Sequence, residues 1–445
     1  MNIGLFSDSF SPEISGVVSS IETLREALEK RGHHVYVFTT SRPDAPVTPG
    51  VFRLPSMPLL FLKSHRFAIF YTPRAARSVR RVKLDVIHTQ TEFSLGLFGK
   101  LMALTLGIPV VHTYHTLYKD YTHYVTKGHF MKVSQEMVRL LTRTFCNDCR
   151  LVIAPTDKVA TLLREYGIRR PIRVIPSGLK LERFTAVAHD PAVRARMRET
   201  LGIPHDTPLL VYIGRLAKEK SIDMLIHALS LVRVKMPAAR LLIVGDGPDR
   251  ALLTQQARQA GLGDAVLFAG SRPWQDIPSC YCVGDVFVSA STTETQGLTV
   301  IEAMAAGVPV VARDDPSFRA MVSHGTSGFL FNTVEELAQH ALAILQSPQT
   351  ADALRAGADQ AVRRFSAEAF GESAEAAYLE AMAMPETQLA VRAFKVVGHA
   401  GTLTGKLKTR LTHTLRTRFG EHTRDRSPRF HRFRLDDVIR PRRRK

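Results

Sequence analysis

Short apolar runs recur along the first part of the chain, each followed by a stretch with helical spacing. Asn2–Phe6, His34–Thr39, Val51–Leu54, Asp85–Gln90, Pro109–Tyr114 and Leu151–Pro155 read as buried strands, and Val17–Arg31 as an amphipathic helix stopped at Gly32. Arg173–Gly178 closes this series. A second series opens at Leu209–Gly214 and runs through Arg240–Gly245, Ala265–Ala269, Asp285–Val288 and Val308–Val311. A helical pattern covers Ser221–Met236, and further helices run from Glu335 to about Met384. Near-continuous apolar strands alternating with helices predict parallel sheets covered on both faces. The fold class is therefore α/β, with two Rossmann-like halves and a cleft between them. Ligands in such folds bind at the carboxyl ends of the strands.

A chain of 445 residues with 45% hydrophobic content suits two or three packed domains rather than a disordered chain. The expected limits are residues 1–195, 196–385 and 386–445, with the polar stretch Asp190–Pro204 carrying the linker.

One stretch organises the second half: Ser291-Thr-Thr-Glu294-Thr295-Gln296-Gly297-Leu298-Thr299-Val-Ile-Glu302-Ala-Met-Ala-Ala-Gly307. It leaves a buried strand, passes a polar turn and becomes a helix over Leu298–Ala306. A strand-to-helix turn presents free backbone N–H groups and a positive dipole end, which suit an anion such as a diphosphate. Glu294 and Glu302 repel phosphate, so they are suited to accept hydrogen bonds from hydroxyls. Backbone donors beside such carboxylates describe a sugar-nucleotide site. Upstream, Asp8–Val17 is another strand-to-helix turn, where Gly16 lets a ligand approach the backbone at Ser15 and Gly16. Gly214-Arg215-Leu-Ala-Lys218-Glu-Lys220-Ser221 offers a planar fork at Arg215 and a point charge at Lys220 for phosphate oxygens. Gly245-Asp-Gly247-Pro is a glycine turn after a strand, and Gly270–Trp274 the loop after the next strand, expected to frame a base by backbone contacts. His112-Thr-Tyr-His115 ends a strand, where active-site groups belong.

The E-x7-E spacing of Glu294 and Glu302, together with Gly-Leu-Thr, Ala-Met-Ala-Ala-Gly-Val-Pro-Val-Val and Gly-Arg-Leu-x-x-Glu-Lys-Ser, resembles the retaining family 4 glycosyltransferases of GT-B fold. The resemblance covers roughly residues 1 to 385. It implies an N-terminal acceptor domain, a C-terminal nucleotide-sugar domain and a last helix that packs back on the first domain. It implies catalytic roles for His115 and Glu294, and donor binding by Ser15, Gly16, Arg215, Lys220, Gly245, Thr295, Gln296, Gly297, Leu298, Thr299 and Glu302. Transfer would proceed with retention. The chain has no D-x-D triplet, which favours a metal-independent mechanism with no tightly bound cofactor, Arg215, Lys220 and helix N-termini stabilising the leaving diphosphate. The stretches His112–Val125 and Phe145–Arg150 resemble the bacterial diacylglycerol glucosyltransferases, so UDP-glucose is the expected donor and diacylglycerol the expected acceptor. Transfer to an existing glycolipid or phosphoinositide is the alternative, and a non-catalytic lipid- or RNA-binding protein on this scaffold a further one.

Charge sharpens the acceptor question. The net charge is +19 and the pI about 10.1, which calls for an anionic partner. From Leu389 onward stand 17 basic and 4 acidic side chains, a net of +13. There Leu403, Leu407, Leu411, Leu415 and Phe419 recur every fourth residue among Lys406, Lys408 and Arg410, the pattern of a basic amphipathic helix. Lys63, Arg66, Arg74, Arg77, Arg80 and Arg81 stand among Leu59–Leu62, Phe67, Ile69 and Phe70. Both segments suit an anionic leaflet. The tail lacks stacking aromatics at regular spacing, which weighs against nucleic acid. Asn2–Phe6 is too short for a secretory core, and no run of eighteen apolar residues occurs, so the expected place is the cytoplasm, peripheral on the inner face of the membrane. Four Cys with a single C-x-x-C, Cys146 and Cys149, read as buried thiols rather than a zinc site.

Overall fold

The computed structural model describes residues 1–13, 15–59, 62–68, 72–115, 131–188 and 190–385. Fifteen strands appear among them. The first group is β1 (Asn2–Phe6), β2 (His34–Thr40), β3 (Val51–Leu54), β4 (Ser56–Leu59), β5 (Leu62–Ala68), β6 (Val86–Thr89), β7 (Val110–Thr113), β8 (Leu151–Ala154) and β9 (Ile172–Val174). The second is β10 (Leu209–Ile213), β11 (Arg240–Val244), β12 (Val266–Gly270), β13 (Val286–Ser289), β14 (Val310–Arg313) and β15 (Phe329–Phe331).

Seven strands form one sheet in the order β3-β2-β1-β6-β7-β8-β9, and six form another in the order β12-β11-β10-β13-β14-β15. All ladders in both sheets are parallel. Parallel strands need crossover helices, and those helices cover both faces, which is why these strands carry apolar side chains without alternation. On one face of the first sheet Ile21, Leu24 and Leu28 pack with Phe370, Ala374 and Tyr378; on the other lie Phe98, Met102, Val79 and Leu163. The strand order reverses between β1 and β6 and between β10 and β13. Crossovers leave in opposite directions at such a point, so a crevice opens outside the carboxyl ends of those strands.

The helix Ala367–Ala383 lies against the helix Gly16–Lys30 in the first half of the molecule. Arg31 pairs with Glu375 at 2.5 Å, and the buried Tyr378 hydroxyl meets His88 Nδ1 at 2.7 Å. His88 Nε2 in turn meets the Thr113 hydroxyl at 2.7 Å on β7.

Three segments differ from the sequence reading. β4 and β5 form a separate antiparallel hairpin in which Met57 faces Phe67 and Pro58 faces Arg66. Its mixture of Pro, apolar and basic residues lacks the alternation that marks a strand. β15, Phe329-Leu330-Phe331, is apolar but only three residues long, too short to mark a strand by its pattern. The stretch Asp190–Pro204 is not a loose connection: Pro191–Thr200 is a helix capped by the Asp190 carboxylate. It is pinned by the buried Arg198, which donates to the carbonyls of Val283, Pro204, His205 and Thr207 and to Asp285. A buried guanidinium needs all of its donors matched, so this helix is fixed to the second sheet. Lys406, Lys408 and Arg410 lie outside the described residues.

Candidate active site

Arg215 and Lys220 leave the carboxyl end of β10 on a tight turn that ends in the helix Ile222–Lys235. Arg215 pairs with the buried Glu219, and the Tyr212 hydroxyl donates to the Arg215 carbonyl at 3.1 Å. Ser221 adopts a left-handed φ of 48°, a strained conformation for a residue with a side chain, immediately after Lys220. Gly245 packs on this turn so closely that a Cβ would lie 2.0 Å from the Gly214 carbonyl oxygen. Its glycine therefore has a packing reason besides any contact with a nucleotide.

Lys220 reaches across to the loop after β13 and meets Glu294 Oε1 at 2.5 Å. Burial by itself would raise the Glu294 carboxyl. The Lys220 charge and hydrogen bond, with help from Ser291 and Lys158, outweigh that and hold it below the usual carboxylate range. Glu302, one helical turn inside Leu298–Ala305, has the opposite environment. It is buried, and burial pushes it up to about 7 although the Tyr281 hydroxyl donates to it at 2.7 Å and Arg183 lies near. Two carboxylates eight positions apart thus differ in ionisation because Glu294 is hydrogen-bonded by a lysine, whereas for Glu302 burial outweighs the Tyr281 hydrogen bond and the charge of Arg183.

Gly297 sits at φ 87° at the N-cap of that helix, where a Cβ would meet the Phe318 ring at 2.6 Å. Only glycine fits both demands. Leu298 and Thr299 form the first turn, whose amides have no intrahelical acceptors. The helix Gly16–Lys30 begins opposite: a Cβ on Gly16 would lie 3.7 Å from Leu298 Cδ1. Ser15 caps that helix, accepting from Val18 N at 3.3 Å. Two helix N-termini, one from each half, therefore converge next to the loop whose Glu294 meets Lys220, and their positive ends favour an anion between them.

His115 follows β7. Its Nε2 lies 2.6 Å from Gln90 Oε1, and burial, then the neighbouring His112, pushes its pKa down to about 3. The ring is neutral at physiological pH, so it can accept or donate a hydrogen bond but is not a proton source. His112 is buried behind it, with Nδ1 3.0 Å from the Thr89 carbonyl and Nε2 3.3 Å from Glu92.

The structure therefore brings Lys220 to Glu294 and Gly16 opposite Leu298, with Arg215 on the same turn as Lys220 and with Ser15 and Thr299 at the two helix starts. Thr295 and Gln296 have partners in the first half. The Thr295 carbonyl accepts from Thr156 Oγ1 at 2.9 Å, and the Gln296 amide accepts from Ser177 N at 2.8 Å and donates to Ser177 O at 3.0 Å. Sequence reasoning missed Gln90, Asp8, Thr156 and Lys158. Asp8 accepts from Thr91 at 2.5 Å, from Ser94, and from Leu95 N at 3.1 Å, tying the end of β1 to the start of the helix Ser94–Leu106 that follows β6. The signal was there for Gln90 and Asp8, which stand at the carboxyl ends of predicted strands. Nothing local marked Lys158.

Of the basic residues assigned to membrane contact, Arg74, Arg77, Arg80 and Arg81 are exposed on the helix Pro73–Arg81, which buries Ala75 and Val79. Arg66 is half-buried, with both arms of its fork on Ser56 at 2.9 Å, so its guanidinium is committed to the hairpin. Lys63 lies on β5. Among the described residues no group of three His, Cys, Asp or Glu gathers as a metal site, and no helix is long and apolar enough to cross a membrane. All four cysteines are buried free thiols.

Comparison with known proteins agrees with this architecture. The profile of Glycosyltransferase Family 4 matches residues 14–183, and that of Glycosyl transferases group 1 matches residues 193–361. The two facing Rossmann-like domains are those of a GT-B glycosyltransferase, and the chain belongs to the family 4 glycosyltransferases. It is similar to alpha-monoglucosyldiacylglycerol synthase of Streptococcus pneumoniae, with 38% identity over 384 residues, 86% of each chain. The alpha-monoglucosyldiacylglycerol synthase of Acholeplasma laidlawii is 35% identical over 387 residues, 85% of this chain and 97% of that one. Among solved structures, HepE of Anabaena in complex with UDP superposes with a TM-score of 0.67 at 21% identity, covering 85% of this chain and 100% of that chain. Sucrose-phosphate synthase of Thermosynechococcus elongatus gives a TM-score of 0.68 at 24% identity, covering 85% and 98%. At those identities the solved structures speak for the fold alone.

Proposed function

We propose that this glycosyltransferase moves glucose from UDP-glucose to the free hydroxyl of 1,2-diacylglycerol, with retention, at the inner surface of the cytoplasmic membrane. The names of the two bacterial relatives support the acceptor. The observation that carries the donor site is the Lys220–Glu294 pair, set beside Arg215 where two helix N-termini face each other. Arg215, Lys220 and the first-turn amides at Ser15, Gly16, Leu298 and Thr299 take the diphosphate. They stabilise the charge that grows on it as the glycosidic bond breaks. Glu294 and the Thr295–Thr299 loop hold the hexose, and Glu302 accepts hydrogen bonds from the ribose hydroxyls. Neutral His115 contacts the transferred sugar without supplying a proton. The acceptor hydroxyl attacks on the face that the diphosphate leaves and gives its proton to the departing phosphate oxygen. Residues 1–195 serve the acceptor, 196–385 the donor, and the basic segments hold the enzyme on anionic lipid.

Product formation from radiolabelled UDP-glucose and diacylglycerol in mixed micelles, with and without anionic lipid, tests this reading. A monoglucosyl lipid whose formation rises with anionic lipid is the expected result. UDP-glucose binding with product only on an added glycolipid or phosphoinositide would move the acceptor. No binding of UDP or UDP-glucose at all would remove the donor assignment.

A further inference from the structure

Three successive residues of the loop after β13 hold partners that lie outside it. The Gln296 amide grips Ser177 and the Thr295 carbonyl accepts from Thr156, as above. The Glu294 carbonyl accepts from Ser317 Oγ at 2.7 Å and from Lys158 Nζ at 3.4 Å. Ser177, Thr156 and Lys158 all belong to the half built on the first sheet. Lys158 is the most committed of them. Its ammonium lies 2.9 Å from both carboxylate oxygens of Asp315, and the two side chains are only 23% and 13% exposed. Asp315 Oδ1 also accepts from Ser317 N at 2.8 Å, and it is the Ser317 hydroxyl that donates back to Glu294. Lys158, Asp315, Ser317 and the Glu294 backbone therefore close a ring. The carboxylate of the same Glu294 is held from the other side by Lys220.

We propose that Lys158, acting with Asp315, is a positioning residue for Glu294: it fixes the backbone of the residue whose carboxylate faces the sugar, and so makes the geometry of the donor loop depend on contact between the two halves. The inference rests on the donor-site reading above. Lys158 touches no substrate; it acts through the Glu294 peptide and through Asp315. A carboxylate displaced by about 1 Å at such a site loses on the order of a hundredfold in rate. Its role is separable from ordinary cohesion. A contact that only held the halves together would change melting temperature and leave the turnover of folded enzyme alone.

The test uses the full chain with UDP-glucose and diacylglycerol micelles, and compares wild type, Lys158→Met, Lys158→Arg, Asp315→Asn and the double variant Lys158→Met/Asp315→Asn. Lys158→Met is expected to lower kcat at least about tenfold while KM for UDP-glucose stays within about threefold. Asp315→Asn should act in the same direction. The double variant should be no worse than Lys158→Met alone, because both act through one contact. Lys158→Arg, which keeps the charge, should recover most of kcat. The acid limb of the kcat–pH profile should move upward in Lys158→Met, since the ammonium helps keep Glu294 ionised. Amide exchange across residues 293–297 should quicken in the same variant. Wild-type kcat and pH profile with only a lower melting temperature would overturn the proposal. If wild type itself makes no glucolipid, the functional reading fails, and exchange decides this inference: unchanged exchange at 293–297 in Lys158→Met overturns it.

Discussion

Lys220 and Glu294, 74 positions apart in the chain, meet at 2.5 Å with less than a fifth of either side chain exposed. The contact joins the turn after β10 to the loop after β13, the two strands between which the second sheet reverses its order. Removing the cation leaves a carboxylate in a poorly solvated place. Lys220→Met should therefore lower stability by about 1–3 kcal/mol at neutral pH and turnover by at least about a hundredfold. The paired carboxyl titrates below its unfolded value, so the pair's contribution is present above that value and lost as pH falls through the folded one. Melting curves of wild type and variant should diverge at pH 7 and converge as pH falls through the lowered folded value of the carboxyl.

Glu302 should make donor binding pH-dependent near neutrality. Burial holds its carboxyl at about 7, and hydroxyl donors favour the charged form. UDP binding should therefore release a proton, and affinity should rise as pH rises through 7. Calorimetry in buffers of different ionisation enthalpy measures this release, and Glu302→Gln should abolish it. The linkage to folding has the opposite sense. A folded pKa raised above the unfolded one gives relative stability that is full at acid pH and lost as pH climbs through 7. Glu302→Gln should melt higher than wild type at pH 8, by on the order of 1–3 kcal/mol, and gain nothing at pH 4.

Gln296 connects the two halves through both ends of its amide. Gln296→Glu keeps an acceptor for Ser177 N but turns the donor to Ser177 O into a second acceptor. It should cost about 1–3 kcal/mol in denaturant melts, more than Gln296→Ala, because a buried carbonyl then faces a carboxylate. A smaller effect of Gln296→Glu than of Gln296→Ala would contradict this geometry.

Exposed and committed arginines should separate cleanly in membrane binding. Replacing Arg74, Arg77, Arg80 and Arg81 together by Gln should leave melting temperature within about 1 °C of wild type, because all four are exposed. It should weaken flotation with anionic vesicles, each residue contributing on the order of 1 kcal/mol. Arg66→Gln should do the reverse, lowering the melting temperature because its fork holds Ser56, with a small effect on flotation.

The sequence by itself determined the α/β class, both series of strands and the helix starts that bear on the site. Apolar runs, helical spacing and turn residues act between neighbours along the chain, and stereochemistry alone reads them out. The E-x7-E spacing likewise placed Glu294 in a loop and Glu302 inside a helix. What lay beyond it were partners set by the packing of two sheets. No local pattern says that Glu294 is paired by Lys220 while Glu302 is governed by burial, so their opposite ionisation belongs to the tertiary structure. The same holds for Gln90 on His115, Ser177 on Gln296 and Arg198 under Asp285. The hairpin of β4 and β5 went unread because an antiparallel pair with a Pro at Pro58 shows neither alternation nor helical period. Arg66 looked like its exposed neighbours because burial is decided by what folds over a residue, and that is Ser56, ten positions away. Local order was legible because it depends on covalent neighbours. Charge state and contact between the halves were not, because they depend on distances that only the folded chain defines.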